Sequence, residues 1–259
     1  HQPSVEVDDD RWFHLIATDG GFLEAPLRTD RVTLAPGERA EILVDFSDGA
    51  EALLKSHPEA GLLPTLESLL GGIGTGNLEL LKIVPGPASH ASHALPAHLN
   101  TIPRIDASSA AKVRPMVLAG PPQAGRGRGG RRPGPPINGK IMDMARIDEV
   151  VRLGDIEIWE ISNRGAQSHP FHVHLVQFQV VDRNGRPPSG AELGWKDTIL
   201  VPPGDLVRVI MRFERYADTE VPYMYHCHIM EHEDNGMMGQ FLVVEDTVEL
   251  SGRANSSAK

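Results

Sequence analysis

Residues 226 to 237 read His-Cys-His-Ile-Met-Glu-His-Glu-Asp-Asn-Gly-Met, and Cys227 within them is the single cysteine of the 259-residue chain. A cysteine with a histidine on either side, His232 five residues on and Met237 ten residues on, offers a thiolate, imidazoles and a thioether. Those soft donors are the ones copper selects over harder cations. The bland alternative, a buried thiol between two hydrogen-bonded core histidines, gives His232 and Met237 no reason to be there.

A second cluster, His169-Pro-Phe-His-Val-His174, opens an apolar, alternating run that continues to Val181. His172 and His174 are two apart and share a strand face, while Pro170 sets His169 off so that it can aim elsewhere. The same parity acts in Tyr223 to Ile229, a short apolar and aromatic run that reads as a buried strand. There His226 and His228 take one face and Cys227 the other, so one tripeptide can touch two metal sites. Six of the chain's twelve histidines fall in these two segments. Such clustering argues for metal ligation, where any one of them alone would read as a structural histidine.

These two motifs resemble the last two of the four copper-binding motifs of the multicopper oxidases, the laccase and bilirubin oxidase family. The resemblance implies a type 1 copper held by His169, Cys227, His232 and the weak axial Met237. It implies His172 as a type 2 ligand, with His174, His226 and His228 as type 3 ligands. Glu233 corresponds to the acid that passes protons toward oxygen. Phe13 to Phe22 and Leu34 to Phe46 are similar to the family's second cupredoxin domain, Leu95 to Leu99 and Ile102 to Asp106 to its connector, and Ile137 to Asp143 to the start of its third. The implied organisation is an incomplete domain 2 at 1–86, a connector at 87–111, a copper-binding domain 3 at 112–248 and a tail at 249–259.

The family's first two motifs, each a His-x-His pair, do not occur: His90, His93 and His98 form no such pair, and His1, His14 and His57 stand alone. With no initiating Met, the expectation is a truncated or processed product whose type 1 site is complete. Its three-copper site then has four of eight histidines, and a missing N-terminal cupredoxin domain or another chain must supply the rest. Dioxygen and a small one-electron donor are the implied substrates. The alternative function is a non-catalytic electron-transfer protein using the type 1 site only. A nitrite reductase is disfavoured by the two histidines flanking Cys227, and a cupin by the lack of a suitably spaced Glu after His174.

The elements that must carry these residues read as strands. Arg31 to Phe46 is β-rich around the turn Ala35-Pro-Gly-Glu38, and Leu78 to Val84 reads as a closing strand. Asp48 to Asn77 is expected to be an irregular insertion, and Pro85 to Ala111 a connector rich in Pro, Ala, Ser and His. Val151 to Ile161 alternates as one half-buried strand, Ile199 to Phe213 repeats the pattern around Pro202-Pro-Gly204, and Gly239 to Glu245 gives the last strand. The fold class is all-β, two Greek-key sandwiches, cupredoxin-like by the resemblance.

Composition sets the outer limits. No apolar stretch is long enough for a membrane helix, and a formal net charge of −10 argues against a nucleic-acid partner. The Arg and Gly tract at 125–132 accordingly reads as a solvated loop. One cysteine forbids an intrachain disulfide, so an extracytoplasmic setting, periplasmic or secreted, follows from the resemblance alone. Asp197 and Glu231 are assigned no role, and Asp234 is left between proton relay and a partner orienting His232.

The chemistry follows from the donors. A thiolate with two imidazoles and a distant thioether suits both copper oxidation states, and Cys227 is bonded in sequence to His226 and His228. Electrons accepted singly at sulfur thus have a one-residue path to the imidazoles where four of them would reduce dioxygen to water. Glu233 is a carboxylate close enough in sequence to bring protons.

Overall fold

The computed structural model describes residues 3–7, 11–58, 78–87, 94–119 and 134–245. His1, His90, His93, the Arg and Gly tract and the tail from 249 lie outside the described residues, as does most of the expected insertion. The chain divides into two compact units, His1–Ile102 and Pro103–Lys259.

The first unit contains β1 (Pro3–Val7), β2 (Phe13–Thr18), β3 (Gly21–Thr29), β4 (Arg31–Thr33), β5 (Ala40–Val44), β6 (Ala52–Pro58) and β7 (Leu78–Ile83). They form two sheets, β4-β1-β6-β7 and β3-β2-β5. Phe13 of β2, Val7 of β1 and Ala52 of β6 meet between the sheets, with Ile42, Val44 and Leu54 packed against them. The Ala35 turn forms as its residues require: Glu38 N–H donates to Ala35 O at 3.0 Å, and Gly37 takes a φ of 87° that a side chain would resist. Ala52–Pro58 corrects the expectation of an irregular insertion from Asp48. Its Leu-Leu-Lys-Ser-His run does not alternate cleanly, and its pairing to β1 joins residues some fifty positions apart, as in Val7 with Leu54.

The second unit contains β8 (Lys112–Leu118), β9 (Glu149–Arg152), β10 (Ile156–Asn163), β11 (His169–Val173), β12 (Phe178–Arg183), β13 (Thr198–Val201), β14 (Leu206–Arg212), β15 (Asp218–Cys227), a short helix α1 (Met230–Asp234) and β16 (Met238–Val244). Its sheets are β12-β14-β10-β8 and β13-β11-β15-β16-β9, with parallel pairs β8 with β10 and β9 with β16 inside otherwise antiparallel ladders. Neighbours that are non-consecutive in sequence are the mark of a Greek-key sandwich.

Two runs that read as single strands, Val151 to Ile161 and His169 to Val181, are each two strands in different sheets, and Ile199 to Phe213 divides in the same way at the turn expected at Pro202-Pro-Gly204. Gly154 (φ 89°) separates β9 from β10, Gly204 (φ 81°) lies between β13 and β14, and Leu175 (φ 73°) ends the segment that begins with β11 before β12 starts. Apolar alternation persists through each turn because both halves face the same core from opposite sides. The core holds Trp159 in edge or tilted contact with Phe171, Phe213, Tyr225 and Phe241. Trp159 Nε1 donates to Glu157 Oε2 at 2.9 Å, and Arg114 grips the same carboxylate with Nε at 2.7 Å and Nη2 at 2.6 Å. A further bond from Arg114 to Glu149 ties β8, β9 and β10 together around one buried charge, which would be costly if left unpartnered.

Candidate metal centres

Strand β11 lies between β13 and β15, and its register with β15 pairs Phe171 with Cys227, His172 with His226 and Val173 with Tyr225. In an antiparallel ladder, directly paired residues point to the same side. Phe171 and Cys227 therefore face the core together, and His169, two residues before Phe171, joins them. His172 and His226 face the opposite side, and one residue past the strand His174 keeps the ladder through its N–H to Met224 O at 2.9 Å. Strand parity alone sends His169 away from His172, which corrects the expectation that Pro170 redirects it.

On the core face, Cys227 Sγ lies 3.6 Å from Nδ1 of His169 and 3.6 Å from Nδ1 of His232. His232 arrives there because the chain turns at once after β15: in α1 the N–H groups of His232 and Glu233 both donate to Ile229 O at 2.9 Å. The loop then closes on itself, with Met237 N–H donating to His232 O at 2.9 Å and Cys227 N–H to Met237 O at 3.0 Å. Gly236 (φ 91°) makes that reversal possible and comes close to the backbone of Met142. Cys227 and His169 are buried in this cluster and His232 is half-buried, and Met237, whose backbone closes the loop, is buried as well.

Burial fixes the protonation states on this face. It pushes the Cys227 thiol up to about 12, with the Glu233 carboxylate acting in the same direction. It pulls His169 down to about 4, helped by His232, and lowers His232 as well. The imidazoles are thus neutral near pH 7 and offer lone pairs. The donor set fits a metal ion: bonds of about 2.0 Å to nitrogen and 2.3 Å to sulfur would let one ion reach donors that lie 3.6 Å apart. The soft sulfur and the imidazoles suit copper.

On the opposite face, the rings of His172, His174 and His226 lie 5.1 to 5.3 Å apart, and His228 is 5.4 Å from His226 and 5.6 Å from His172. His174 Nε2 and His226 Nε2 approach to 3.2 Å, and one nitrogen from each of His172, His174 and His226 falls within 4.8 Å of the others. His228 is the first residue past β15, held by its N–H to Pro170 O at 2.9 Å. Burial lowers the pKa of His226 and His174, for His174 with help from the nearby His172. Four imidazoles gathered on one face make a nitrogen-rich surface suited to copper.

Glu233 of α1 bridges the two faces: its Oε2 lies 3.4 Å from His226 Nδ1, although its backbone belongs to the loop that carries His232. Asp234 and Glu231 are exposed, and the Glu231 carbonyl caps the loop by accepting from Asn235 Nδ2 at 2.6 Å. Of the eight residues expected to bind metal, seven have their side chains in the two clusters, and Met237 is buried with its backbone bonded to Cys227 and His232. Sequence reasoning assigned Asp197 no role and did not single out Thr198, yet the two meet His172 at the start of β13. No sequence motif could have found them, because the contact exists only through the pairing of His172 with Thr198.

Strand β15 needs one more support. Gly239 of β16 pairs with Tyr225, and the Tyr225 ring lies directly over it: a Cβ there would overlap the ring, reaching Cε2 at 2.7 Å. The tyrosine can settle on the strand only because its cross-strand neighbour has no side chain.

No helix among the described residues is long and apolar enough to cross a membrane. A family model described as multicopper oxidase matches residues 116–247. The cell division protein FtsP of Pectobacterium atrosepticum is 32% identical over 241 residues, covering 92% of this chain and 48% of that protein. A laccase of Haloferax volcanii is 33% identical over 246 residues, covering 91% of this chain and 40% of the laccase. Among solved structures, the laccase-like multicopper oxidase CueO of Ochrobactrum sp. superimposes with a TM-score of 0.77 at 31% identity, over 94% of this chain and 53% of that one. The chain spans about half the length of the proteins it matches. Two cupredoxin-like sandwiches, a thiol between two imidazoles and a match across the second unit lead to one conclusion: the chain belongs to the multicopper oxidase family.

Proposed function

We propose that this chain is the C-terminal part of a copper-dependent oxidase, comprising most of a second cupredoxin domain and all of a third. His169, Cys227, His232 and Met237 would hold a type 1 copper, His172 a type 2 copper, and His174, His226 and His228 part of a type 3 pair. Copper bound at these residues supplies one-electron oxidation of a small donor, phenol-like or a metal ion, and reduction of dioxygen to water.

The observation that carries this reading is the division of one tripeptide between two clusters. Cys227 Sγ lies 3.6 Å from the imidazoles of the core face, while His226 and His228 sit among His172 and His174 on the other. The chain's own residues have distinct tasks. The buried thiol and imidazoles exclude water and hold a site that reorganises little when the metal changes charge. Glu233, 3.4 Å from His226 Nδ1, is within reach to hand a proton to the imidazole face directly or through one water. The remaining ligands would come from an N-terminal cupredoxin domain or a second chain. An extracytoplasmic setting belongs to the same reading.

Relatives of near-equal identity carry the names laccase and cell division protein, so likeness does not choose among functions. A second reading, electron transfer through the thiol site without catalysis, is favoured by the assembly of the thiol cluster without any residue of the second face. Copper loading followed by visible absorption and oxygen uptake with a phenolic donor separates them. Blue colour with oxygen uptake, once the N-terminal domain is supplied, supports the oxidase. Colour without uptake in that complete assembly supports electron transfer. Absence of colour ends both.

A further inference from the structure

We infer that Asp197 and Thr198 form a positioning pair that fixes which nitrogen of His172 carries the proton and so aims its other nitrogen at His174 and His226. The inference rests on the metal-site reading above only for its purpose; the geometry stands without metal. His172 Nδ1 has three oxygen atoms around it: the Asp197 carbonyl at 2.9 Å, Thr198 Oγ1 at 3.0 Å and Asp197 Oδ1 at 3.5 Å. A carbonyl and a carboxylate can only accept. The hydroxyl could in principle donate, but Thr198 Oγ1 gives its hydrogen to Asp197 Oδ1 at 2.9 Å and turns a lone pair toward the ring. Every group at Nδ1 is therefore an acceptor, and a singly protonated imidazole must place its hydrogen there. Nε2 is left with the lone pair, on the side where the His174 and His226 Nε2 atoms lie 3.2 Å apart.

The fold makes this arrangement firm. Thr198 is fully buried and directly paired with His172 across β11 and β13, so water does not compete for the hydroxyl. Outer partners of this kind orient ligand histidines, and their loss typically lowers metal affinity about ten- to a hundredfold. His226 shows the same logic with different groups, its Nδ1 lying 3.1 Å from Cys227 O and 3.4 Å from Glu233 Oε2. The carboxylate at Asp197 thus acts through Thr198 on the ring and touches no substrate.

Nitrogen-15 NMR of the histidine rings in the metal-free, full 259-residue chain tests the proposal, since the two tautomers give separate nitrogen shifts. The expected result is His172 in the Nδ1–H form in the parent chain, a shift toward Nε2–H or exchange between the forms in Thr198→Val and in Asp197→Asn, and restoration of the parent pattern in Thr198→Ser. Cupric ion affinity of the imidazole face, measured in a Cys227→Ala background, should fall about ten- to a hundredfold in Thr198→Val and recover in Thr198→Ser. A folded Thr198→Val or Asp197→Asn protein with an unchanged tautomer and unchanged affinity overturns the proposal, as does an Nε2–H form in the parent. If Thr198→Val does not fold, the partly exposed Asp197→Asn decides the matter. A tautomer lock that behaves as expected in a protein without oxidase activity would sink the oxidase reading and leave this one standing.

Discussion

Cys227 and His226 are neighbours in sequence and lie on opposite sides of one sheet: the sulfur is 3.6 Å from His169 and His232, and the imidazole is 3.2 Å from His174. A single peptide bond therefore joins a thiol-bearing cluster to an all-imidazole one. The strand's period of two enforces the separation, because no rotamer of either side chain can bring both to the same face.

Replacing Cys227 by Ser should abolish the intense thiolate-to-copper absorption of the loaded protein while circular dichroism shows the same β-rich fold. The metal-free variant should lose about 1–3 kcal/mol in denaturant unfolding, since a hydroxyl takes the place of a buried thiol. A Ser variant that stayed blue would mean the sulfur is not a ligand.

Copper uptake at the core face should release one proton. The thiol is held up to about 12 by burial and is protonated at neutral pH, whereas His169, drawn down to about 4, has none to give. Apparent copper affinity should then rise about tenfold per pH unit between roughly pH 6.5 and 9. Affinity measured against a competing chelator gives the slope; a value of zero would show that sulfur arrives already ionised or does not bind.

The metal-free protein should lose stability as pH falls from about 6.5 to about 4. His169 has its folded pKa depressed by burial, so the unfolded chain takes up a proton first and is favoured as acid is added. His226 and His232 are shifted in the same direction and add to the loss. Above about pH 6.5 all three are neutral in both states, and this contribution is fully present. Urea midpoints across that range check the sign, and a midpoint that rose on acidification would contradict the burial argument.

Gly239→Ala should destabilise the second unit by about 1–3 kcal/mol, because the new methyl must displace the Tyr225 ring in a filled core. The φ of Gly239 is not in the left-handed region, so the cost is steric, and Tyr225→Phe, which removes the hydroxyl from the overlap, should relieve part of it. Chemical denaturation of the two single variants and the double variant measures that coupling; strict additivity would rule it out.

In an assembly with all its copper ligands, Glu233→Gln should leave the blue absorption intact and slow oxygen uptake by about a hundredfold or more, as loss of a positioned proton donor does. Its side chain lies 3.4 Å from His226 Nδ1, and the amide keeps the size but not the titrating proton. Unchanged turnover would assign the carboxylate a structural role only.

Much of the site was legible in the chain because its information is local. His-Cys-His and His-x-His state their facing by parity, and Met237 and His232 follow within one turn of loop. The fold class was legible from apolar alternation between Pro and Gly turns. Strand boundaries were not: Val151 to Ile161 alternates straight through Gly154, and nothing in that pattern tells one strand from two that face a common core. Ala52–Pro58 was missed because its pairing to Pro3–Val7 is a long-range choice that no window of neighbours contains.

By itself the sequence determined the candidate donors, their division between two faces and the β-sandwich class, since residue type and a period of two are properties of short segments. Tertiary structure decided which nitrogen these histidines present: Nδ1 of His169 and His232 toward Cys227 on one face, and Nε2 of His174 and His226 toward each other on the other. It also decided that Glu233 reaches His226 and that Asp197 and Thr198 stand behind His172. Those outcomes depend on the pairing of β11 with β13 and β15, and a ladder between strands distant in the chain is fixed only when the whole sheet closes around its core.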